Sequence, residues 1–381
     1  MVKFPFKIKA SSGMARRAVL ETPRGDIQTP AFMPVGTAAT VKALYMDQVK
    51  SAGADIILGN TYHLMLRPGA ERIHRLGGLH KFAGWDGPIL TDSGGFQVWS
   101  LSQLRKMDAD GVTFRSHLDG SQYRLTPARS IEIQAELLGA DISMQLDECT
   151  NWPCTHAEAE ASMALSLDWG QRSIDAFGDR PDQTLFGIVQ GSTYEDLRKR
   201  SAAGVIRQGF GGIAIGGLAV GEGHDAMCAT LDVTIPELPA DLPRYVMGVG
   251  KPIDLVEAVA RGVDMFDCVL PTRTGRHGQA WTWDGPINLK NAKFAEDLSP
   301  LEPEIDCPAS QNYSRAYIHH LIRSGELLGS MLLSWHNTAF FQALMAQLRS
   351  SISDGSFPQL RETLSTRWAA TKSPPKNSDS I

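Results

Sequence analysis

Hydrophobic and polar positions change rhythm after the first thirty residues. Up to there, FKIKA and RRAVLETP flank Ser-Ser-Gly, and Pro23-Arg24-Gly25-Asp26 supplies another turn. This pattern predicts an N-terminal antiparallel sheet. Beyond it, short apolar runs end in a polar residue or glycine, and helix-like segments follow. The runs are AFMPVG (31–36), ADIILGN (54–60), PILTD (88–92), ADISMQLD (140–147), TLFGIVQ (184–190), GGIAIGG (211–217), RYVMGVG (244–250) and VDMFDC (263–268). Near-continuous apolar runs between amphipathic segments are the pattern of buried parallel strands. Residues 130–138 and 253–259 have helical spacing, follow Pro127 and Pro252, and stop at Gly139 and Gly262. Eight strand-then-helix units predict an irregular (β/α)8 barrel of the TIM type. An open doubly wound sheet is the other architecture that fits.

The rhythm breaks over 273–336, which run through TGRHGQAWTWDGPINLKNAKF to Cys307 and His336. This segment reads as a small inserted subdomain. It follows the N-terminal sheet and main part of the barrel (1–272) and precedes C-terminal helices (337–368). SRAYIHHLIRSGELLG and NTAFFQALMAQLRSSI read as two amphipathic helices, and 369–381 as a disordered Pro/Ser/Lys-rich tail. Composition narrows the class. The chain has 381 residues, 43% hydrophobic and 21% charged, which excludes a mainly disordered, collagen-like or coiled-coil protein. A net charge of −5 argues against a broad nucleic-acid coat but leaves room for a local basic patch. Five irregularly spaced cysteines point to a reduced, cytoplasmic protein rather than a disulfide scaffold. No signal peptide is expected from MVKFPFKIKASSG, and no apolar run approaches the ~18 residues of a membrane span.

In a barrel of this kind chemistry gathers at the C-terminal ends of the strands. The runs here end at Asn60, Asp92, Asp147, Gln190, Gly217, Gly248 and Asp267. For any single polar residue there, starting a loop or capping a helix is the better reading; three aspartates at related positions balance the two readings. Asp92-Ser93-Gly94-Gly95-Phe96-Gln97 combines an acid, two glycines that permit close backbone approach, and an aromatic ring that can stack on a flat ligand. Asp147, the Gln190 amide and the backbone of Gly216, Gly217 and Leu218 add mixed donors and acceptors suited to a purine edge. A carboxylate can attack an anomeric carbon while a second one acts as acid and then base. Asp92 and Asp267 are candidates, their order left open. Gly248-Val249-Gly250-Lys251-Pro252 resembles a phosphate cradle without being a P-loop. Arg273, Arg276, His277, Lys290 and Lys293 form a basic run, its distal lysines read as solvated. Cys307 and His336 are possible metal ligands, but structural zinc wants four.

TDSGGFQVWSL, QLDECT, FGIVQGS, GGIAIGGLAVGE, YVMGVGKP, MFDCVLPTR and NYSRAYIHHL occur in this order, with NTYHLMLRPG and SHLDGS also present. Together they resemble the bacterial tRNA-guanine transglycosylases, or queuine tRNA-ribosyltransferases, over residues 4–365. The resemblance implies a homodimeric barrel with an inserted zinc subdomain and no organic cofactor. The implied reaction exchanges the wobble guanine of tRNAs for Asp, Asn, His and Tyr for 7-aminomethyl-7-deazaguanine, in queuosine biosynthesis. By motif match Asp267 is the nucleophile and Asp92 the general acid/base. Ser93, Gly94, Gly95, Asp147, Gln190 and Gly217 would bind the base, with the Leu218 carbonyl and a Phe96–Met247 sandwich. Gly248, Gly250, Lys251, Asp254, Thr272, Arg273 and Arg276 would meet the anticodon loop. Val220 suits the small incoming base. Local basic contacts and a base taken out of the loop stack reconcile tRNA binding with the acidic chain.

Two positions depart from the family pattern. Its zinc motif, C-x-C-x-x-C plus a later histidine, falls here on Ile305, Cys307, Ser310 and His336. Isoleucine cannot ligate and a neutral serine is a poor substitute for thiolate, so weak or no zinc binding is expected. His277 stands where the family usually has asparagine. The loss of ligands raises an alternative, a non-catalytic tRNA-binding paralogue or partner subunit; the three aspartates argue against it. A carboxylate-pair glycoside hydrolase on the same fold is a third reading, since fold alone does not decide function.

Overall fold

The computed structural model describes residues 2–101 and 105–370. Eight strands form a closed barrel: β1 (Ala31–Gly36), β2 (Ile57–Gly59), β3 (Ile89–Thr91), β4 (Ile142–Met144), β5 (Thr184–Val189), β6 (Gly212–Ile215), β7 (Arg244–Val246) and β8 (Met265–Cys268). All neighbours pair in parallel, and β8 closes on β1 with Phe266 opposite Phe32 and Asp267 opposite Met33. Each apolar run holds one strand, and helices lie between them, so the sheet is closed rather than open and doubly wound.

Strand residues divide between two cores with the period of two that a pleated strand imposes. Met33, Leu58, Leu90, Met144, Ile188, Tyr245 and Met265 share the inner cluster, together with Phe4, Leu20 and Ile27 from the N-terminus. Their neighbours Phe32, Leu185, Ile213, Val246 and Phe266 belong to the outer cluster with the surrounding helices. The inner phase continues past the strand ends to Asn60, Asp92, Gln190, Gly216 and Met247, and within β8 it falls on Asp267. That phase is what turns a hydrophobic barrel into a polar mouth. The N-terminal sheet is present as Phe6–Ser12, Ala15–Thr22 and Gly25–Thr29, paired antiparallel.

The expected helix over 130–138 begins at Pro127, where the Thr126 side chain accepts a bond from the Arg129 amide, and widens into π-type turns over Glu132–Leu138. The helix expected over 253–259 spans Pro252–Ala260. A three-stranded antiparallel sheet, Arg105–Asp108, Gly111–Arg115 and Gln122–Leu125, lies between β3 and β4. The sequence reading passed over it. Its signals were the Asp108-Ala109-Asp110-Gly111 turn and the alternating, buried Val112 and Phe114. Within 273–336 lie a hairpin, Gln279–Thr282 with Gly285–Asn288, and the helices Pro308–Gln311 and Arg315–Ser324. Gly325, at φ 74°, ends the latter. The next helix starts at Leu327 rather than Asn337 and runs to Asp354, so it carries His336 as well. Residues 369 and 370, expected in the tail, continue the helix Phe357–Ala370; 371–381 lie outside the described residues. Among the described residues no helix is long and apolar enough to cross a membrane.

Candidate active site

Asp92 follows β3 in the inner phase and is buried, 7% exposed. Its carboxylate accepts bonds from the Asn60 amide, from the Thr61 N–H at 2.8 Å and from Gln97 Nε2 at 2.8 Å. Burial is the largest influence on its proton and pushes the pKa up to about 6; the three donors oppose this and the Asp267 charge adds to it. The two carboxylates therefore feel each other across the mouth. Asp267 lies one residue before the end of β8 and is half-buried. Its Oδ1 accepts from the Tyr245 hydroxyl at 2.6 Å and the Gly248 N–H at 2.8 Å. Loss of water raises its pKa above the ordinary carboxylate value, against the pull of those two donors. One oxygen is thus anchored from inside the barrel, and no hydrogen bond to a described residue is formed by the other.

A second constellation sits beside them. Asp147 accepts from Ser93 Oγ at 3.3 Å and from Gln190 Nε2 at 2.7 Å. Burial pushes its pKa up to about 6, with Gln190 and Ser93 opposing. Ser93 Oγ also accepts from the Gly95 N–H at 3.2 Å. The Gln190 side chain lies against the turn after β6. A Cβ on Gly216 would stand 2.6 Å from Gln190 Nε2, and one on Gly217, at φ +66°, 2.8 Å from Oε1. Only glycines allow that approach. The next residues are held by Glu222, whose carboxylate accepts from the backbone N–H groups of Ala219, Val220 and Gly221. A cavity of about 400 Å³, lined in part by Gly95, Asp147, Glu148 and Cys149, opens beside this group; it touches neither Asp92 nor Asp267.

The structure joins Ser93, Asp147 and Gln190 with Gly217, and separately Asp267 with Gly248. Phe96 is 44% exposed on the helix Gly95–Leu101 and its ring lies 5.4 Å from Trp99; Met247 is half-buried against the inner core. Leu218 is buried. Gly94 takes a left-handed φ of 83° before that helix. Lys251 is exposed as the N-cap of Pro252–Ala260, close after Gly250, and Asp254 in its first turn pairs with His224 at 2.6 Å. On the helix Leu270–Arg276, Arg273 is exposed, Arg276 half-buried and Thr272 buried. Four contributors went unassigned in the sequence reading. Tyr245 stood inside the apolar run 244–250 without a role. Gln97 stood inside a quoted motif without a role, as did Glu222. Arg198, buried on the helix Glu195–Gln208, donates to the carbonyls of Ser192 and Val189 on either side of Gln190. No local motif marks it.

The positions that would hold zinc do not form a metal site. Ile305, Cys307, Ser310 and His336 are all buried. Ser310 Oγ lies 2.9 Å from His336 Nδ1, and His336 Nε2 lies 2.7 Å from the Trp281 carbonyl. Both ring nitrogens are thus engaged by the protein. Among the described residues no three His, Cys, Asp or Glu side chains group so as to hold a metal ion.

This constellation combines two coupled carboxylates, one able to carry a proton near neutrality, with a polar, glycine-lined recess. It suits displacement at a sugar carbon bearing a flat heterocycle. Comparison with known proteins agrees. The family model described as queuine tRNA-ribosyltransferase matches residues 11–370. A protein of Caulobacter vibrioides named queuine tRNA-ribosyltransferase is 68% identical over 367 residues, covering 96% of this chain and 99% of its own. Proteins of the same name from Zymomonas mobilis and Brucella suis are 60% and 59% identical, each over 97% of its own length and over 97% and 96% of this chain. With its closed barrel, paired carboxylates and full-length likeness to these relatives, the chain belongs to the queuine tRNA-ribosyltransferase family.

Proposed function

We propose that this protein is a tRNA-guanine transglycosylase. It exchanges the wobble guanine of GUN-anticodon tRNAs (Asp, Asn, His, Tyr) for 7-aminomethyl-7-deazaguanine, within queuosine biosynthesis. In the first displacement the Asp267 carboxylate forms a bond to the ribose anomeric carbon. The glycosidic C–N bond breaks, its electron pair leaves with guanine, and Asp92 supplies the proton that neutralises the departing base. In the second, Asp92 takes a proton from the incoming base, whose nitrogen attacks the same carbon and releases Asp267. A double displacement needs two carboxyl groups held in different states. The observation that carries the reading is this asymmetry: Asp92 is buried with its pKa near 6, while Asp267 is half-buried with one oxygen anchored and the other without a hydrogen bond to any described residue.

The Asp147–Gln190–Gly217 group would read the base edge, helped by Ser93, Gly94, Gly95 and the Leu218 carbonyl, with Phe96 and Met247 on the ring faces. Gly248, Gly250, Lys251, Asp254, Arg273 and Arg276 would meet the anticodon loop, and Thr272, being buried, would support that surface from behind. The half-buried Val220, beside the turn that Glu222 holds, supports a small incoming base. A homodimer is supported by exposed apolar side chains, among them Leu298, Leu327 and Tyr45 at 84%, 80% and 69% exposure. A cytoplasmic location is supported by five free cysteines. The test is base exchange with purified protein, unmodified tRNA and labelled guanine. Label should enter the tRNA with the parent and not with Asp267→Asn. Folded parent that binds tRNA without taking up label would instead support a non-catalytic tRNA-binding role.

A further inference from the structure

We propose that the insert of this chain folds without a metal, with the Ser310 hydroxyl occupying the coordination position on His336 and a hydrogen-bonded strut replacing the cross-link a zinc ion would make. The tautomer follows from the partners. The Trp281 carbonyl only accepts, so His336 Nε2 carries the hydrogen and donates to it at 2.7 Å. Nδ1 is then the lone-pair nitrogen, the one a metal would need, and Ser310 Oγ–H donates to it at 2.9 Å. The lone pair is already used. Of the remaining positions, Ile305 has no ligating atom, and Cys307 alone cannot satisfy a tetrahedral ion.

Among the described residues no nearby acid replaces the missing ligands. Glu302 accepts from the Trp283 N–H at 3.0 Å, and Glu304 and Asp306 face outward as exposed residues. The strut also does mechanical work of the kind a metal would do. His336 sits on the helix Leu327–Asp354, Ser310 on the short helix Pro308–Gln311, and Trp281 on the hairpin strand Gln279–Thr282, so the relay ties three separate elements. The adjoining Asn337 doubles the tie: its Oδ1 accepts from the Trp281 N–H at 2.9 Å, and its Nδ2 donates to the carbonyls of Pro271 and Gln279, each at 2.9 Å. Ile305 and Cys307, 3% and 2% exposed, fill the space around it as members of the main apolar core. The Ser310 hydroxyl and both ring nitrogens of His336 are thus paired within the protein, and none of the three is left waiting for an ion.

The full-length protein, purified without added metal, is assayed for bound transition metals by mass spectrometry and for thermal unfolding with and without a chelator. The expected parent has less than about 0.1 zinc per chain and a midpoint that neither chelator nor added zinc moves. Ser310→Ala leaves His336 Nδ1 unpaired and should lower the midpoint by about 2–4 °C, whereas Ile305→Cys/Ser310→Cys should take up one zinc and become chelator-sensitive. Near-stoichiometric zinc in the parent, or a parent midpoint that falls on chelation, overturns the proposal. So does an unchanged midpoint in Ser310→Ala. The metal content and chelator response of the parent decide the matter even where a variant does not fold, and neither depends on base exchange.

Discussion

Replacing Asp147 by asparagine should make the protein more stable and nearly inactive. The carboxyl is 9% exposed, and burial holds its pKa at about 6, above the ordinary carboxylate range. In the unfolded chain it ionises near 3.9. The folded state therefore binds more protons between about pH 4 and pH 6. The group's contribution to stability is full below pH 4 and is lost as pH rises through 6. At pH 7.5 the parent carries an ionised, dehydrated carboxylate at a penalty of up to about 3 kcal/mol, from roughly two pH units at 1.36 kcal/mol each. Asparagine removes that penalty. Its Oδ1 can still accept from Gln190 Nε2, and its Nδ2 can donate to Ser93 Oγ, so both present partners remain served. The loss of charge assistance in the Gln190 bond offsets part of the gain. The expected Tm increase is about 1–3 °C at pH 7.5, vanishing near pH 4.5. Base binding moves the other way. An ionised carboxylate accepts two N–H donors of a guanine edge, whereas asparagine opposes one of them with its own N–H. Losing about 2–3 kcal/mol lowers kcat/KM for guanine exchange by about 30–150-fold. The parent's KM should also rise as pH falls below about 6, and the variant's should not. Scanning calorimetry at the two pH values and labelled-guanine kinetics measure both effects. A variant less stable than the parent at pH 7.5, or one exchanging guanine within threefold of it, would refute the reasoning.

Three further perturbations probe the same mouth. Gly217→Ala puts a side chain at φ +66° with its Cβ 2.8 Å from Gln190 Oε1; KM for guanine should rise at least about tenfold, and an unchanged KM would show that the turn can yield. Asn60→Ala removes a donor that favours the ionised form of Asp92. The limb of the pH–rate profile governed by that group should move up by about one pH unit; a profile that stays in place contradicts its assignment as the acid/base. Arg198→Met removes the guanidinium that donates to the Ser192 carbonyl and shares the Val189 carbonyl with the Gly216 N–H. KM for guanine should then increase by about tenfold with little change in kcat, and a loss confined to kcat would argue against a positioning role.

The barrel and much of its mouth were legible because strand chemistry is local. An apolar run with period-two burial states its own inner face, and the phase set by Leu90, Ile188 and Met265 delivers Asp92, Gln190 and Asp267 to the mouth. Asp147 is harder: β4 ends at Met144, and the phase set by Ile142 and Met144 passes through Leu146, so the loop and not the strand aims the carboxylate. Tyr245 carries no signal of its own within an apolar run and is fully buried; only the closure of the barrel shows that its hydroxyl reaches Asp267. Arg198 carries no local pattern at all, since its partners are carbonyls that become neighbours when the helix packs back on β5.

By itself, then, the sequence determined the eight buried strands, the polar ends of those strands, and the absence of a second thiolate and third thiolate at positions 305 and 310, because each is a property of residue type and spacing. Only the tertiary structure decided which groups share protons and which serve one another. The elevated pKa values of Asp92 and Asp147 come from dehydration by distant segments, and the pairing of Ser310 with His336 spans 26 residues. Burial and hydrogen-bond geometry are relations between parts of a chain far apart in sequence, and they acquire values only once the barrel has closed.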